Sequence, residues 1–262
     1  MRPVPMLTVL SSIAVIASAL IPARAAADPA AIAAARRTLR EAVSAARPEG
    51  LLKARAQFQA LSAAEPGSAP LHYWVAVASW RAVPMLEDAK KAERMAADGI
   101  THCDAALKLD PTFAEALAMK AGLQGMSIRF NPASMMTLGP QSEANLGRAL
   151  GMSPKNPRIH LLRGIATLNK PAAFGGGAAL ALEILKQAQA LFAADSPADS
   201  TTPDWGRDDA LLWAGRAAMS LEDFAAARGF YAAALEVNPA NAWVKARLMP
   251  AAEEALAKKE KP

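Results

Sequence analysis

Cysteine is almost missing: Cys103 is the only one in 262 residues. A single thiol cannot close an intrachain disulfide, so the fold has to be held by packing. Aromatic residues make up 5% of the chain, and the β-branched and aromatic types that favour strands are sparse, which argues against a sheet. Charge of one sign is never concentrated, and no block of five like charges occurs. Nucleic acid therefore finds no basic stripe, and an anionic membrane surface finds no polybasic segment. What is plentiful is alanine, the strongest helix former, within a composition that is 53% apolar. The expected fold class is all-α.

Residues 1–27 read as an address. Arg2 precedes an uncharged run from Leu7 to Ile21, and Ala23-Arg24-Ala25 and Ala25-Ala26-Ala27 offer small-x-small cleavage sites. This is the pattern of a secretory signal peptide, and the run is short for a bilayer span. Cleavage near 25–27 is expected, giving a periplasmic protein. No cysteine follows the run to accept a lipid, so no membrane anchor is expected after cleavage. The remaining 235 residues keep 27 basic and 24 acidic side chains. Their length suits one or two globular domains, or a solenoid of five or six two-helix units.

A repeat decides between these. From Asp208 to Pro239, Gly215 is followed twelve residues later by Ala227, then by Tyr231, Ala234 and Pro239. That ladder is the tetratricopeptide repeat (TPR) spacing, a 34-residue helix–turn–helix unit in which small residues let two helices approach closely. Fainter copies lie upstream. Unit 28–66 opens on Asp28-Pro29, an N-cap and first-turn proline, runs as a helix through Ala46, breaks at Arg47 to Gly50 and returns with Ala54, Phe58 and Leu61. Unit 69–111 carries Ala78, Gly99, Cys103 and Ala106, and is lengthened by nine residues around Pro84 to Met95. Unit 112–157 has Gly122, then irregular chain through Arg129 to Pro132 and Leu138-Gly139-Pro140 before a helix with Leu146 and Ala149. Unit 158–195 has Gly164, a five-residue insertion at Phe174-Gly175-Gly176-Gly177, and then Ala181, Leu185 and Ala188. A linker, Asp195 to Arg207, contains Asp204-Trp205-Gly206 and leads to unit 207–239. A helix over 241–258 is expected to cap the last repeat, as solenoids require, before a solvated tail, 259–262.

These units make the chain resemble the TPR family. The resemblance implies a right-handed superhelix of about five hairpins plus the capping helix, spanning 28–258, and a non-enzymatic role in protein interaction. The lengthened units, with Asn156-Pro157-Arg158, Pro171-x-x-Phe174-Gly175-Gly176 and Asp204-Trp205-Gly206, also resemble exported bacterial TPR proteins. Among these is the T component (TatT) of TPR-associated tripartite ATP-independent periplasmic (TRAP) transporters. That likeness implies a ligand-binding or accessory subunit of a solute transporter. Expected partners are thus another envelope protein or a transporter subunit.

No chemistry of catalysis stands out. Gly175-Gly176-Gly177 opens a helix, but no strand precedes it and no Lys-Ser or Lys-Thr follows, so a phosphate loop lacks its parts. The triplet reads as a turn needing positive φ, with Phe174 filling apolar space. His72, His102 and His160 have no metal-ligand spacing, and adjacent His102 and Cys103 point to different helix faces. Structural or surface roles are expected for the three histidines, and Cys103 reads as a buried small hydrophobe. Neither a Ser-His-Asp set nor a paired-carboxylate set is visible, so no enzyme, metal or cofactor is expected. Four tryptophans, Trp74, Trp80, Trp213 and Trp243, fall at packing positions. Trp205, in a polar linker, either caps the solenoid edge or touches a partner.

The first helices of TPR units line the concave face at positions two, five, nine and twelve. With Ala78, Gly122, Gly164 and Gly215 at position eight, the inward set is His72, Val75, Ser79 and Ala82, then Ala116, Met119, Leu123 and Met126. It continues with Arg158, Leu161, Ile165 and Leu168, then Asp209, Leu212, Arg216 and Met219. This describes an apolar groove edged by His72, Arg158 and Arg216, fit for an apolar helix, a partner subunit or a small amphipathic anion. The alternative is that the inserts at 84–95, 129–141 and 170–177 fold back and fill the groove.

Overall fold

A computed structural model describes residues 28–196 and 202–259. The expected signal peptide, five residues of the linker and the last three residues of the tail lie outside the described residues. Among the described residues eleven α-helices follow one another: α1 (Pro29–Ser44), α2 (Pro48–Ala64), α3 (Ala69–Ala82), α4 (Ala89–Leu109), α5 (Ala114–Ser127), α6 (Met135–Met152), α7 (Pro157–Asn169), α8 (Ala178–Ala193), α9 (Arg207–Ser220), α10 (Phe224–Val237) and α11 (Met249–Lys259). The same residues contain no strand.

Local chemistry sets the helix starts. Prolines at 29, 48 and 157 open α1, α2 and α7, where a missing N–H costs nothing. Side-chain oxygens of Asp28, Asp88, Asn156 and Asp223 accept from the first-turn N–H groups of Ala30, Lys91, Arg158 and Ala226 at 2.9–3.0 Å. Each cap satisfies a donor that the helix itself cannot, for about 1 kcal/mol. The helices then pair as five antiparallel hairpins, α1–α2 through α9–α10, stacked in sequence. This is the TPR-type helical solenoid. One apolar core runs through the stack. A second, smaller one joins Leu212, Ala218, Ala227 and Tyr231 to Val244 and Ala252, so the C-terminal helix covers the final hairpin.

Several boundaries differ from expectation. Helix α1 ends at Ser44, because Ala46 turns into the left-handed region at φ 51°. The nine extra residues of unit 2 are a 3-10 turn, Val83–Met85, and a long α4 capped by Asp88. Leu138-Gly139-Pro140 does not break the chain: all three lie inside α6. Pro140 sits in the exposed second turn, where it forfeits one N–H bond close to the helix start. A π-helical turn, Val244–Leu248, precedes α11. It falls where Pro250 removes the donor that a regular helix would give to Ala246, and a wider turn moves that carbonyl from the ring.

Close helix approach rests on small residues. A Cβ on Gly164 would stand 2.6 Å from Leu185 Cγ, and one on Gly215 would stand 2.3 Å from Tyr231 Cε1. Gly215→Leu should therefore overpack the last hairpin and cost about 3 kcal/mol or more in urea unfolding. The control is Gly229→Ala, on the open face of α10 with nothing within 4 Å of an added Cβ. It should instead gain about 0.5–1 kcal/mol, as alanine does over glycine in a helix. An unchanged midpoint for Gly215→Leu would refute the assigned contact.

Candidate functional site

Which residues face inward depends on which small residue meets the return helix. In units 4 and 5 it is Gly164 and Gly215, as the spacing places them. In unit 2 it is Ser79, whose Cβ lies 3.1 Å from the place of a Cβ on Gly99 of α4. In unit 3 it is Ala121, whose carbonyl accepts from Ser142 Oγ of α6 at 2.9 Å. The registers of units 2 and 3 are thus displaced by one residue, in opposite senses. Tyr73, Trp80, Glu115 and Gly122 take the inner positions expected for His72, Ser79, Ala116 and Leu123.

The expected groove residues divide accordingly. Val75, Met119 and Leu123 are fully buried, with Leu123 packed on Gly99 of α4. His72 and Met126 are half-buried. Arg158, Leu161 and Ile165 do face inward but are covered, and Leu168 is half-buried. In unit 5, Leu212 and Met219 belong to the C-terminal apolar cluster. Arg216 is half-buried, its guanidinium lying 4.2 Å from the Trp213 ring centre and 5.6 Å from that of Trp243. These side chains do not form an open apolar wall.

The chain that crosses the inner face is the linker. Met85, Leu86 and Phe130 from the inserts pack on the core, but it is Trp205 that reaches the middle of the superhelix. Its ring centre lies 5.6 Å from that of Trp80, and the Arg81 guanidinium sits 5.2 Å from the Trp205 ring centre and 4.8 Å from the Trp80 one. Trp205 Nε1 donates to the Tyr73 hydroxyl at 3.1 Å, and that hydroxyl donates to Glu115 Oε2 at 3.0 Å. Glu115 Oε1 accepts from Asn156 Nδ2 at 2.7 Å and lies 3.5 Å from the Arg158 guanidinium. Arg158 also pairs with Asp195 at 2.6 Å and donates to the Pro203 carbonyl at 2.6 Å. Arg81 holds both oxygens of Asp209 at the start of α9.

The linker also ties the first unit to the last. Asp204 bridges Arg36 and Arg40 of α1 at 2.8 and 2.9 Å. Asn238, just after α10, donates to Ser44 Oγ at 3.1 Å and to Asp208 at 2.8 Å. Between them a groove of about 320 Å³ remains open at this seam, lined by both α1 and the linker.

Burial dominates the electrostatics. It pushes the Tyr73 phenol well above its ordinary range, and the neighbouring Glu115 carboxylate adds to the effect. It raises Glu115 as well, despite Arg158, Asn156 and the Tyr73 hydroxyl. Asp208 is raised by burial and by Asp209 beside it. For Arg81 the desolvation that would weaken its charge is outweighed by Asp209, so the guanidinium is held more firmly charged.

The structure also pairs two histidines that spacing left apart. His72 on α3 and His102 on α4 meet Nδ1 to Nδ1 at 2.9 Å, and the Asp98 carboxylate stands 3.8 Å from His102 Nε2. The signal was geometric: both sit near the same end of one antiparallel hairpin. No group of three or more His, Cys, Asp or Glu able to hold a metal occurs among the described residues. Cys103 is buried, which raises its thiol. Gly175 and Gly177 have φ of 79° and 134°, the turn that the glycines were expected to make. Phe174, however, does not fill apolar space; it is 58% exposed, because the turn carries it away from the core.

Two measurements probe this arrangement. Trp205→Ala should lower stability in urea by about 3 kcal/mol, the usual cost of deleting a packed tryptophan. A change below about 0.5 kcal/mol would make the linker an ornament. Burial, first, and His72 and Arg55 hold the His102 pKa below its ordinary value although Asp98 opposes them. A histidine with a depressed folded pKa disfavours folding once charged. Stability should fall as pH drops below about 6.5 toward that lower value. His102→Gln should flatten this fall below about pH 6.5; an unaltered slope would contradict it.

No protein-family model matches the chain, and no curated protein matches it. Solved structures do. The HusA haemophore from Porphyromonas gingivalis superposes with a TM-score of 0.55 at 24% identity, over 68% of this chain and 90% of that one. TTC0263, a thermophilic TPR protein in Thermus thermophilus, superposes with a TM-score of 0.57 at 17% identity, over 85% of this chain and 99% of that one. These likenesses are of fold. With the hairpin ladder, they identify the architecture as a TPR-type helical repeat.

Proposed function

We propose that the protein is exported to the bacterial periplasm and serves there as a non-enzymatic interaction or scaffold module for another envelope protein. The observation that carries this reading is an edge of exposed apolar side chains. Because the hairpins stack in parallel, every connection from a first helix to its return helix emerges at one edge. Met135 and Met136 open α6 there, with Phe174, Leu180 and Leu221 in or beside the later connections. Met136 is 74% exposed. Lys170 Nζ meets Glu143 at 2.8 Å, which ties the insert of unit 4 to α6 of unit 3. Of the nine large hydrophobics exposed among the described residues, these five share one edge, the other four lying at or beyond the far ends of the return helices. Methionine adapts to varied apolar partners, and such a grouping favours a protein contact. Export is supported by the Leu7–Ile21 run and its small-residue exit.

A second reading is a ligand-binding or accessory subunit of a TRAP-type solute transporter, TatT-like. It is favoured by the groove at the seam, whose volume lies in the range of small-ligand sites. HusA, which shares the fold, is a haemophore. Trp205 fills the inner face, so a ligand in this reading sits at the seam and not on an apolar inner wall.

Affinity capture from periplasm tests the first reading. The unmodified protein should retain an envelope protein that the double variant Met136→Lys, Phe174→Ser loses at least tenfold. Both side chains are exposed, so stability should stay within about 0.5 kcal/mol. Equal recovery by both forms, or no captured protein, would overturn the interaction edge. Recovery of transporter subunits would move the balance to the second reading. N-terminal sequencing of the periplasmic form should begin at residue 26, 27 or 28; an uncleaved chain would refute export.

A further inference from the structure

The groove at the seam has a composition that the interaction edge does not explain. Its lining contains four guanidinium groups, those of Arg36, Arg40, Arg81 and Arg207, against two carboxylates, Asp204 and Asp208. Their roles differ. Arg81 is held in place by Asp209, and Arg36 lies 5.2 Å from the Trp74 ring centre while reaching Asp204. Arg207 donates to the Phe192 carbonyl. Arg40 is the outward one: its side chain is 68% exposed, and of the five N–H donors of a guanidinium it gives one to Asp204. Beside it the lining includes apolar side chains, Leu39 and Val43 of α1, Val77 of α3 and Val237 at the end of α10, together with the polar Ser44 and Asn238.

Resting on the reading that seats a ligand at the seam, we propose that this groove binds a small organic monoanion. Its carboxylate sits on the outward N–H groups of Arg40, and its apolar body lies between Val43 and Val237. A carboxylate matches the fork of a guanidinium with two parallel, charge-assisted hydrogen bonds. Asp204 and Asp208 set the limit on charge: each repels a second negative charge on the ligand, so a dianion is disfavoured relative to a monoanion. Size sets the other limit. At about 320 Å³ the groove is at the small end of ligand sites, a volume that suits a small molecule and not a long peptide.

The test uses the mature protein with octanoate as probe, read by calorimetry and by tryptophan fluorescence, since Trp74 and Trp205 both line the groove. Octanoate should saturate, 1-octanol should not, and octyl phosphate should bind less tightly than octanoate. Arg40→Gln should weaken octanoate about tenfold, the loss of one charge-assisted contact, with unchanged melting temperature. Absence of saturation by octanoate, equal binding of 1-octanol, or an unaltered affinity in Arg40→Gln would each overturn the proposal. Capture of a transporter subunit is read without octanoate, and capture at the edge through Met136 and Phe174, so failure at the groove is a result separate from the failure of either reading.

Discussion

A stack of hairpins has no reason of its own to bring its first repeat to its last, and here guanidinium–carboxylate pairs do so. Arg81 on α3 is fastened to Asp209 on α9 in the interior, and Arg36 on α1 to Asp204, which the exposed Arg40 also meets from the solvent side. Arg158 reaches Asp195 and Glu115 across the same interior. Trp205 occupies the space that these pairs enclose. Without them Trp205 would still meet Trp80 and Tyr73, but the linker would lose its ties to α1 and the seam groove its second wall.

The buried pairs, Arg81 with Asp209 and Arg158 with Glu115 and Asp195, are costly to form. Taking each ion out of water costs several kcal/mol, which the mutual attraction repays only when the geometry and the remaining hydrogen bonds are good. The geometry is good: Arg81 is bidentate, and Arg158 has Asp195, Glu115 and a backbone carbonyl. The net contribution to stability is small beside that of the apolar core. Removing one partner, by contrast, leaves an unpaired buried charge and costs about 3–5 kcal/mol. The pairs therefore choose one closed arrangement of the superhelix, and the packing of Trp74, Tyr73 and their neighbours supplies the driving force.

The hairpin ladder was legible in the sequence wherever a small residue stood alone. Gly215 with Tyr231 and Gly164 with Leu185 meet as their spacing requires. The ladder misled where small residues run together. In Ala76-Val77-Ala78-Ser79 and Ala121-Gly122 several could meet the return helix, and spacing alone does not say which. A one-residue slip then moved Val75, Met119 and Leu123 from a wall into the core. The linker was legible as polar chain but not as the filler of the inner face. Its contacts, Trp205 to Tyr73 and Asp204 to Arg36 and Arg40, join residues more than 130 positions apart. The histidine pair was hidden for a similar reason: His72 and His102 stand 30 residues apart in the chain, and only the antiparallel pairing of their helices brings them together.

The contact between Ser44 and Asn238 spans 194 residues. In an open array each repeat meets only its neighbours, so folding can start at any unit and spread. Closing the first unit on the last adds a contact of very long range to a chain otherwise rich in local ones, and its loop entropy has to be met before it is repaid. The hairpins are local enough to form early and fast. The seam needs both Ser44 and Asn238, so a ribosome must release nearly the whole chain before the groove can exist.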